Sequence, residues 1–295
     1  MEKVAFLGLG RMGSAMAQRL LDTGCQLQVF NRTTSRAGNL VARGARQFLT
    51  PREACAGADA IISMVADDQA SKAMWRGPDG ALAAGVAPGT PAIECSTLSY
   101  GWVVELSAQI RSLGLRYIDS PVTGLPDSAA AGALTLLVGA DIGDLAAARP
   151  LLERFSRDTL HFGAPGTGTA YKLLVNMLGS VQIASAAEAI AIAEKIGLDL
   201  GKVADALATG QAASPQVIRN ARRMVQEPRD PSVVFTPQLR LKDVEYALAL
   251  ARTFEIGSPF GVLAARLYTQ LNALGYAQAN ESEVIEVARR QPADT

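Results

Sequence analysis

Cysteine and histidine are scarce in this chain of 295 residues, which contains three cysteines and one histidine. Cys25, Cys55 and Cys95 are widely spaced and form no CxxC pair, so we expect reduced thiols rather than a disulfide framework or a metal site. A catalytic triad or a histidine metal site would depend on His161 alone, and no GxSxG motif accompanies it. We therefore interpret His161 as a structural residue and expect no bound metal.

An excess of charge is also absent, because 28 basic residues balance 28 acidic ones. A neutral chain gives no indication of nucleic acid as a partner. No apolar run reaches the roughly 18 residues that a membrane span needs, and the first residues read as a strand rather than a signal peptide. With 49% hydrophobic residues the chain can form a buried core. We expect a cytoplasmic globular protein with no nucleic-acid or membrane partner.

The N-terminal segment contains glycines in a GxGxxG pattern between a short apolar run and an amphipathic segment. A strand, a glycine turn and a helix in this order are the context of a dinucleotide-binding fingerprint. Gly8 permits the tight turn, Gly10 lets the backbone approach a pyrophosphate, and Gly13 lets the helix pack close to the strand. The helix N-terminus offers N–H groups to the phosphates. The residues expected to contact the dinucleotide are Gly8, Leu9, Gly10, Arg11, Met12 and Gly13.

Strand-like apolar runs alternate with helix-like segments through the first half of the chain. The runs are residues 4–7, 26–30, 60–65, 92–94, 116–119 and 134–138, with 159–162 as a candidate edge strand. Alternation of this kind predicts an α/β fold, a Rossmann doubly wound and mostly parallel sheet. After residue 164 only helix-like segments follow, beginning with a long one at 170–196. We predict a dinucleotide-binding domain over residues 1–164 and an all-α C-terminal domain for substrate binding and oligomerisation over 165–295, with a long interdomain helix. A homodimer or homotetramer is expected.

The end of the second predicted strand lacks the carboxylate that usually accepts a hydrogen bond from the ribose of NAD. Asn31 occupies this place, and Arg32, Thr33 and Arg36 follow it. A guanidinium binds a 2′-phosphate bidentately, and hydroxyl groups add donors. The pattern favours NADP(H) over NAD(H); solvated arginines with NAD bound are the alternative.

The end of the third predicted strand provides further cofactor contacts. Residues at the carboxyl ends of parallel strands line the ligand crevice of such sheets. We therefore expect the backbone of Val65 and Ala66 to contact the cofactor, whereas Asp67 and Asp68 are expected to cap the next helix.

Lys172 and Asn176 are spaced i, i+4 and so share one face of the long predicted helix. That face is otherwise apolar, and lysine is rarely buried without a partner or a task. Lys172 is therefore a candidate functional residue, with a lysine that extends to solvent as the alternative.

Four motifs, in this order along the chain, resemble those of the β-hydroxyacid dehydrogenase family, which includes 3-hydroxyisobutyrate dehydrogenases and glyoxylate/succinic semialdehyde reductases. They are residues 8–13, the DSPVTG segment at 119–124, the GTGTAYK segment at 166–172 with Asn176, and Leu241-Lys242-Asp243. The resemblance covers about residues 3 to 288. It implies a nicotinamide-dependent oxidoreductase that interconverts a small β-hydroxy acid and its semialdehyde or oxo-acid by hydride transfer.

The resemblance also implies roles for individual residues. Lys172 matches the catalytic lysine that exchanges a proton with the substrate oxygen, and Asn176 matches an asparagine that holds the substrate. Thr123 and Gly124 stand where the family places a Ser-Gly pair that binds the substrate carboxylate. Thr97 corresponds to a hydroxyl residue near the nicotinamide, in contact with substrate and cofactor.

Further implied residues come from the second half of the chain. Lys242 and Asp243 match a pair that closes over the cofactor, and Phe235 is placed near the substrate. Leu125 departs from the family pattern, which commonly has glycine there, and leucine adopts a positive φ less easily than glycine. We therefore expect a change in the substrate loop.

Two other functions compete with this interpretation. Imine reductases share the implied architecture but usually lack a lysine at the position of Lys172, so reduction of C=N bonds is the alternative activity. A non-catalytic nucleotide-binding protein is the third hypothesis, and the presence of Lys172 together with Asn176 argues against it.

Overall fold

The computed structural model of the chain describes residues 2–226, 232–233 and 235–290. The chain forms two compact units, Met1–Lys172 and Leu173–Thr295. The first unit contains a sheet with helices, and the second is helical. The domain boundary near residue 164 stays a prediction.

In the described part of the first unit, nine strands form one sheet. They are β1 (Lys3–Leu7), β2 (Gln26–Phe30), β3 (Arg46–Gln47), β4 (Ala60–Ser63), β5 (Pro91–Glu94), β6 (Arg116–Asp119), β7 (Val122–Thr123), β8 (Leu134–Gly139) and β9 (Ser156–Gly163). Their spatial order is β3-β2-β1-β4-β5-β6-β8-β7, with β9 also beside β8. The first six strands are parallel, β8 is antiparallel to β6 and β7, and β9 is parallel to β8. The predicted Rossmann-type, mostly parallel sheet is confirmed.

The central strands of the sheet are buried on both faces, which explains their continuous apolar runs, whereas β9 is largely exposed. In β1, Val4 and Phe6 pack into one hydrophobic core, whereas Ala5 and Leu7 pack into the other. Successive side chains of a strand point to opposite faces, so a single short run supplies both cores.

Helices cover the sheet and connect its strands. They are α1 (Arg11–Asp22), α2 (Gly38–Ala42), α3 (Pro51–Cys55), α4 (Asp68–Trp75), α5 (Tyr100–Ser112), α6 (Pro126–Ala130) and α7 (Ile142–Leu152), with 3-10 turns at Thr34–Ala37 and Ala81–Ala84. Asp67 caps α4, because its side chain accepts the N–H of Ala70 over 2.8 Å. The predicted capping role of Asp67 is thus confirmed. Asp68 instead lies in the first turn of α4 and binds the backbone and hydroxyl of Ser99.

The long helix α8 (Thr167–Ile196) begins in the first unit and continues into the second. It is followed by α9 (Leu200–Thr209), α10 (Pro215–Val225), α11 (Pro237–Thr253), α12 (Pro259–Leu271) and α13 (Ile285–Ala288), with a π-turn at Asn272–Tyr276 and a 3-10 turn at Glu281–Val284. The described residues of this unit contain no strand, which confirms the predicted all-α part. Its core contains Ile183, Ile190, Tyr268 and Leu271.

One described helix, α8, is long and apolar enough to cross a membrane by length and composition. Polar residues interrupt α8, so it contains no apolar run of 18 residues, and the expected lack of a membrane partner stays a prediction. The core helix of a globular protein passes the same test, and several side chains of α8, among them Ile183 and Ile190, lie in the core of the second unit.

His161 lies in β9, and its ring joins two backbone carbonyls. Nε2 is 2.8 Å from the oxygen of Ala140 and 2.9 Å from that of Gly163. Because carbonyl oxygens only accept, Nε2 carries the hydrogen. This arrangement supports the structural interpretation of His161.

Candidate functional site

The glycine turn lies between β1 and α1, at the edge of the sheet where the parallel strands end. Gly8 has a φ of 97°, and its N–H donates to the carbonyl oxygen of Phe30 over 2.9 Å. A Cβ at Gly13 would lie 2.1 Å from the Gly8 oxygen, so a side chain there would push α1 away from the strand. A Cβ at Gly10 would meet no atom within 4 Å. The space next to Gly10 is therefore open to a ligand.

The first turn of α1 suits the pyrophosphate of a dinucleotide. Gly10 is the N-cap residue and provides no side-chain cap, and the first intrahelical bond runs from the Ser14 N–H to the Gly10 oxygen at 2.8 Å. The amides of Arg11, Met12 and Gly13 thus form an uncapped, positively polarised helix end, which binds anions well. The exposed side chain of Arg11 adds a positive charge there. These residues fit a nicotinamide dinucleotide.

Asn31 follows β2, and both the oxygen and the nitrogen of its side-chain amide form hydrogen bonds. Its Oδ1 accepts the N–H of Leu9 over 2.8 Å, and its Nδ2 donates to the carbonyl of Thr33 over 2.8 Å. Asn31 therefore holds the end of β2 against the glycine turn, a role that the sequence did not reveal. Arg32 and Arg36 are exposed, and neither forms an ion pair with any residue that the structure describes. Their guanidinium groups can meet an anionic ligand.

The segments after β4 and β5 are joined by a hydrogen bond. The N–H of Val65 donates to Ser96 Oγ over 2.7 Å, and Ser96 Oγ donates in turn to Glu94 over 2.5 Å. Val65 with Ala66, and Thr97 next to Ser96, follow neighbouring strands of the sheet. The structure therefore brings these predicted cofactor contacts to adjacent strand ends.

In the loop after β7, Gly124 is the residue with a positive φ. Thr123 is exposed at the end of β7, and Gly124 follows with a φ of 139°. A Cβ at Gly124 would lie 2.7 Å from Leu134 Cδ2, the movable end of that side chain, so the positive φ is the main reason for glycine here. Leu125 has a φ of −104° and is the N-cap of α6. Leucine at this position therefore causes no backbone strain, contrary to the concern raised by the sequence.

Lys172 lies in the second turn of α8, and Asp119 anchors the start of this helix. Asp119 Oδ1 accepts the N–H of Gly166 over 2.6 Å, and Oδ2 accepts the N–H of Thr169 over 2.8 Å. Burial raises the pKa of Asp119 to about 6, although the two backbone hydrogen bonds lower it. A carboxylate at the end of β6 thus determines where α8 leaves the sheet, and with it the position of Lys172.

Asn176 lies one helical turn after Lys172 and belongs to the second unit. Its Nδ2 donates to Asp243 Oδ2 over 2.6 Å, and Asp243 Oδ1 lies 2.9 Å from Lys242 Nζ. Asp243 is buried. Because the carboxylate accepts, it sets the rotation of the Asn176 amide, with Nδ2 toward Asp243.

Phe235 lies against Arg240, whose guanidinium carbon is 4.6 Å from the ring centre. Arg240 and Arg219 both form ion pairs with the fully buried Glu281, the Arg219 Nη2–Glu281 Oε1 distance being 2.8 Å. Arg240 Nη1 also donates to the carbonyl of Asn176 over 3.4 Å. The predicted site residues of this unit are thus connected by a polar network whose arginines and glutamate belong to no motif, so the sequence did not reveal them.

The predicted site residues divide between the two units. The first unit holds the glycine turn, the residues after β2, β4 and β5, the loop after β7, and Lys172; the second holds Asn176, Phe235, Lys242 and Asp243. Their parts in binding and catalysis stay predictions.

Two family models match the chain. The model described as the NAD binding domain of 6-phosphogluconate dehydrogenase matches residues 3–163. The model described as NAD-binding of NADP-dependent 3-hydroxyisobutyrate dehydrogenase matches residues 166–288. Together they cover nearly the whole chain.

Individual proteins are similar over nearly the whole of this chain. The NAD-dependent L-serine dehydrogenase of Pseudomonas aeruginosa is 37% identical, over 96% of this chain and 97% of that protein. Glyoxylate/succinic semialdehyde reductase 2, chloroplastic, of Arabidopsis thaliana is 31% identical, over 97% of this chain and 79% of that protein. The solved structure of Mycobacterium tuberculosis 3-hydroxyisobutyrate dehydrogenase with L-serine superposes with a TM-score of 0.88 at 32% identity, over 98% and 99% of the two chains.

Proposed function

Since the chain belongs to the β-hydroxyacid dehydrogenase family, whose members include 3-hydroxyisobutyrate dehydrogenase, we propose that it interconverts a small β-hydroxy acid and its semialdehyde or oxo-acid, with Lys172 as general acid and base. The protein is an NAD(P)-dependent oxidoreductase that acts on hydroxyl groups. The observation that carries the proposal is Lys172 on a helix anchored to the sheet by Asp119, with Asn176 one turn away.

The nicotinamide dinucleotide, when bound, supplies or accepts the hydride. In reduction, the Lys172 ammonium donates a proton to the carbonyl oxygen while the carbonyl carbon receives the hydride. In oxidation, the neutral Lys172 amine takes the proton of the substrate hydroxyl. The Thr123 hydroxyl and the backbone around Gly124 offer donors to the substrate carboxylate, and Asn176 holds the substrate beside Lys172.

The preferred cofactor in this proposal is NADP(H). The exposed guanidinium groups of Arg32 and Arg36, and the lack of a carboxylate at Asn31, support a site for a 2′-phosphate. The family model for the second part of the chain is named for an NADP-dependent enzyme, whereas the Pseudomonas relative is named as NAD-dependent. The ratio of kcat/KM for NADPH and NADH tests the preference, and a higher value with NADH contradicts it.

The substrates to test first are those in the names of similar proteins. They are L-serine, 3-hydroxyisobutyrate, glyoxylate and succinic semialdehyde. The wild-type protein should oxidise L-serine or 3-hydroxyisobutyrate with NADP+ or NAD+, or reduce glyoxylate or succinic semialdehyde with NADPH or NADH. Lys172→Met should lower kcat by about 10² to 10⁴ while leaving the Kd of the cofactor unchanged, because the general acid is lost and the dinucleotide contacts remain. Near-normal turnover by this variant would refute the role of Lys172.

The second unit supports the proposed homodimer or homotetramer. It exposes large apolar side chains at the end of α8 and around the turn between α11 and α12; they include Ile192, Ile196, Leu198, Phe254, Ile256, Phe260, Val262 and Leu263. Exposed apolar patches of this kind are typical of protein–protein interfaces. Light scattering coupled to size exclusion measures the subunit number, and a monomer at micromolar concentration contradicts the proposal. A cytoplasmic location stays a prediction.

A further inference from the structure

Glu94 ends β5 with a carboxylate that is fully buried and receives four hydrogen bonds. Oε1 accepts from the N–H of Ser96 over 3.1 Å and from its Oγ over 2.5 Å. Oε2 accepts from Ser71 Oγ and from Trp75 Nε1, both over 2.8 Å. Within the described residues no ion pair involves Glu94. A buried carboxylate without a cation is costly, and only such a set of donors makes it tolerable.

The hydrogen bonds around Glu94 form short chains in which every donor points toward the carboxylate. Ser71 Oγ accepts from Trp102 Nε1 over 3.0 Å, and Ser96 Oγ accepts from the Val65 N–H over 2.7 Å. Each hydroxyl therefore turns its own hydrogen toward Glu94. Burial raises the pKa of Glu94, while the hydrogen bonds from Ser96, Trp75 and Ser71 lower it. The four donors are all satisfied only by the ionised carboxylate.

The hydrogen bonds to the two oxygens of Glu94 connect it to different parts of the first unit. They are called the Oε1 arm and the Oε2 arm. The Oε2 arm leads through Ser71 to Trp102, a buried residue in the first turn of α5. The Oε1 arm, through Ser96, ends at the amide of Val65, and Ser96 is followed directly by Thr97. Only the Oε1 arm touches the segments that border the ligand edge of the sheet.

We propose that Glu94 and Ser96 are positioning residues for the cofactor. Ser96 Oγ, oriented by Glu94, holds the Val65 amide and thereby keeps the backbone of Val65 and Ala66 in register with Thr97. The inference rests on the proposed function as an NAD(P)-dependent enzyme, with these three residues as the cofactor contacts that the sequence predicts. The network orients the backbone before the cofactor binds, so the cofactor does not have to order it.

Three alanine variants separate positioning from general stability. Ser96→Ala and Ser71→Ala each remove one hydroxyl donor from Glu94, but only the first releases the Val65 N–H. Ser63→Ala is the control variant for the loss of a buried hydroxyl near the same backbone, since Ser63 ends β4 two residues before Val65. Its hydroxyl is buried and has no hydrogen-bond partner in the described structure.

Tryptophan fluorescence provides the readout, because both tryptophans of the chain, Trp75 and Trp102, belong to the network. Titration with NADPH and NADH should give a Kd about tenfold higher for Ser96→Ala, as expected for the loss of one hydrogen bond. For Ser71→Ala and Ser63→Ala the Kd should stay within about twofold of wild type. The KM of the hydroxy acid should rise less than the Kd of the cofactor in Ser96→Ala, because Thr97 is the single proposed substrate contact beside this network, and it should change less than about twofold in the other two variants.

A Kd for Ser96→Ala close to that of wild type overturns the inference, and so does an equal rise for Ser71→Ala. Hydrogen exchange of the wild-type protein decides the matter if Ser96→Ala does not fold. The Val65 amide should exchange slowly without cofactor, and fast exchange overturns the inference. A wild-type protein that binds the cofactor but turns over no hydroxy acid contradicts the proposed function instead, and the comparison of Kd values still decides the role of Ser96.

Discussion

Replacement of Asp119 by asparagine should change how the stability of the protein depends on pH. In the folded protein, burial raises the pKa of Asp119 from 3.8 to about 6. The folded state therefore binds a proton more tightly than the unfolded state does. The contribution of Asp119 to stability is complete below about pH 4 and decreases as the pH rises through 6. The asparagine side chain of the variant has nearly the same shape and does not titrate.

The magnitude follows from the two pKa values. A shift of about two units corresponds to roughly 3 kcal/mol over the full range of pH. Linkage places about 1.4 kcal/mol of this change between about pH 5 and pH 7.5. Over that interval the unfolding free energy of the wild-type protein should fall by about 1.4 kcal/mol relative to that of Asp119→Asn. The unfolding free energy falls as the pH rises, because the folded state must then release the extra proton that it binds at low pH.

Urea unfolding at several pH values, followed by tryptophan fluorescence, measures this difference. Both tryptophans lie in the first unit together with Asp119, so the signal reports the relevant transition. Comparison with the variant removes the contributions of every other titrating group. Parallel curves for the two proteins, or a relative gain of the wild type with rising pH, would refute the reasoning.

Further changes have equally definite outcomes. Asn31→Asp should raise the Kd of NADPH by about tenfold and that of NADH much less, because a carboxylate repels the 2′-phosphate. Fluorescence titration measures both Kd values. An equal change for the two cofactors would contradict a 2′-phosphate site at this strand end. Glu281→Gln should lower the unfolding free energy by about 3 kcal/mol, because Arg219 and the buried Arg240 lose their partner charge. Far-ultraviolet circular dichroism in urea reports this loss, and a stability equal to wild type would show that the network contributes little.

Much of the fold could be predicted because its central strands are buried on both sides. The apolar runs at β2 and β6 stand out between helix-like segments, and the sequence boundaries match those of the structure. The shorter elements β3, β7 and α6 were missed, since two to five residues are too few to carry a periodic pattern. The glycine turn could be recognised because a local backbone requirement dictates its residues.

The sequence by itself determined the order of the elements, the dinucleotide turn and the identity of Lys172 and Asn176 as candidate residues, because each depends on neighbours within a few positions. Only the tertiary structure showed what the buried carboxylates do. Asp119 bonds to amides 47 and 50 positions away, and Glu94 reaches Ser71 and Trp75 across 23 and 19 positions. An acidic residue at a strand end looks the same in sequence whether it meets a ligand, a helix end or a buried network. Its partners come together only when the strands and helices pack, and for this reason the structure alone assigns it a role.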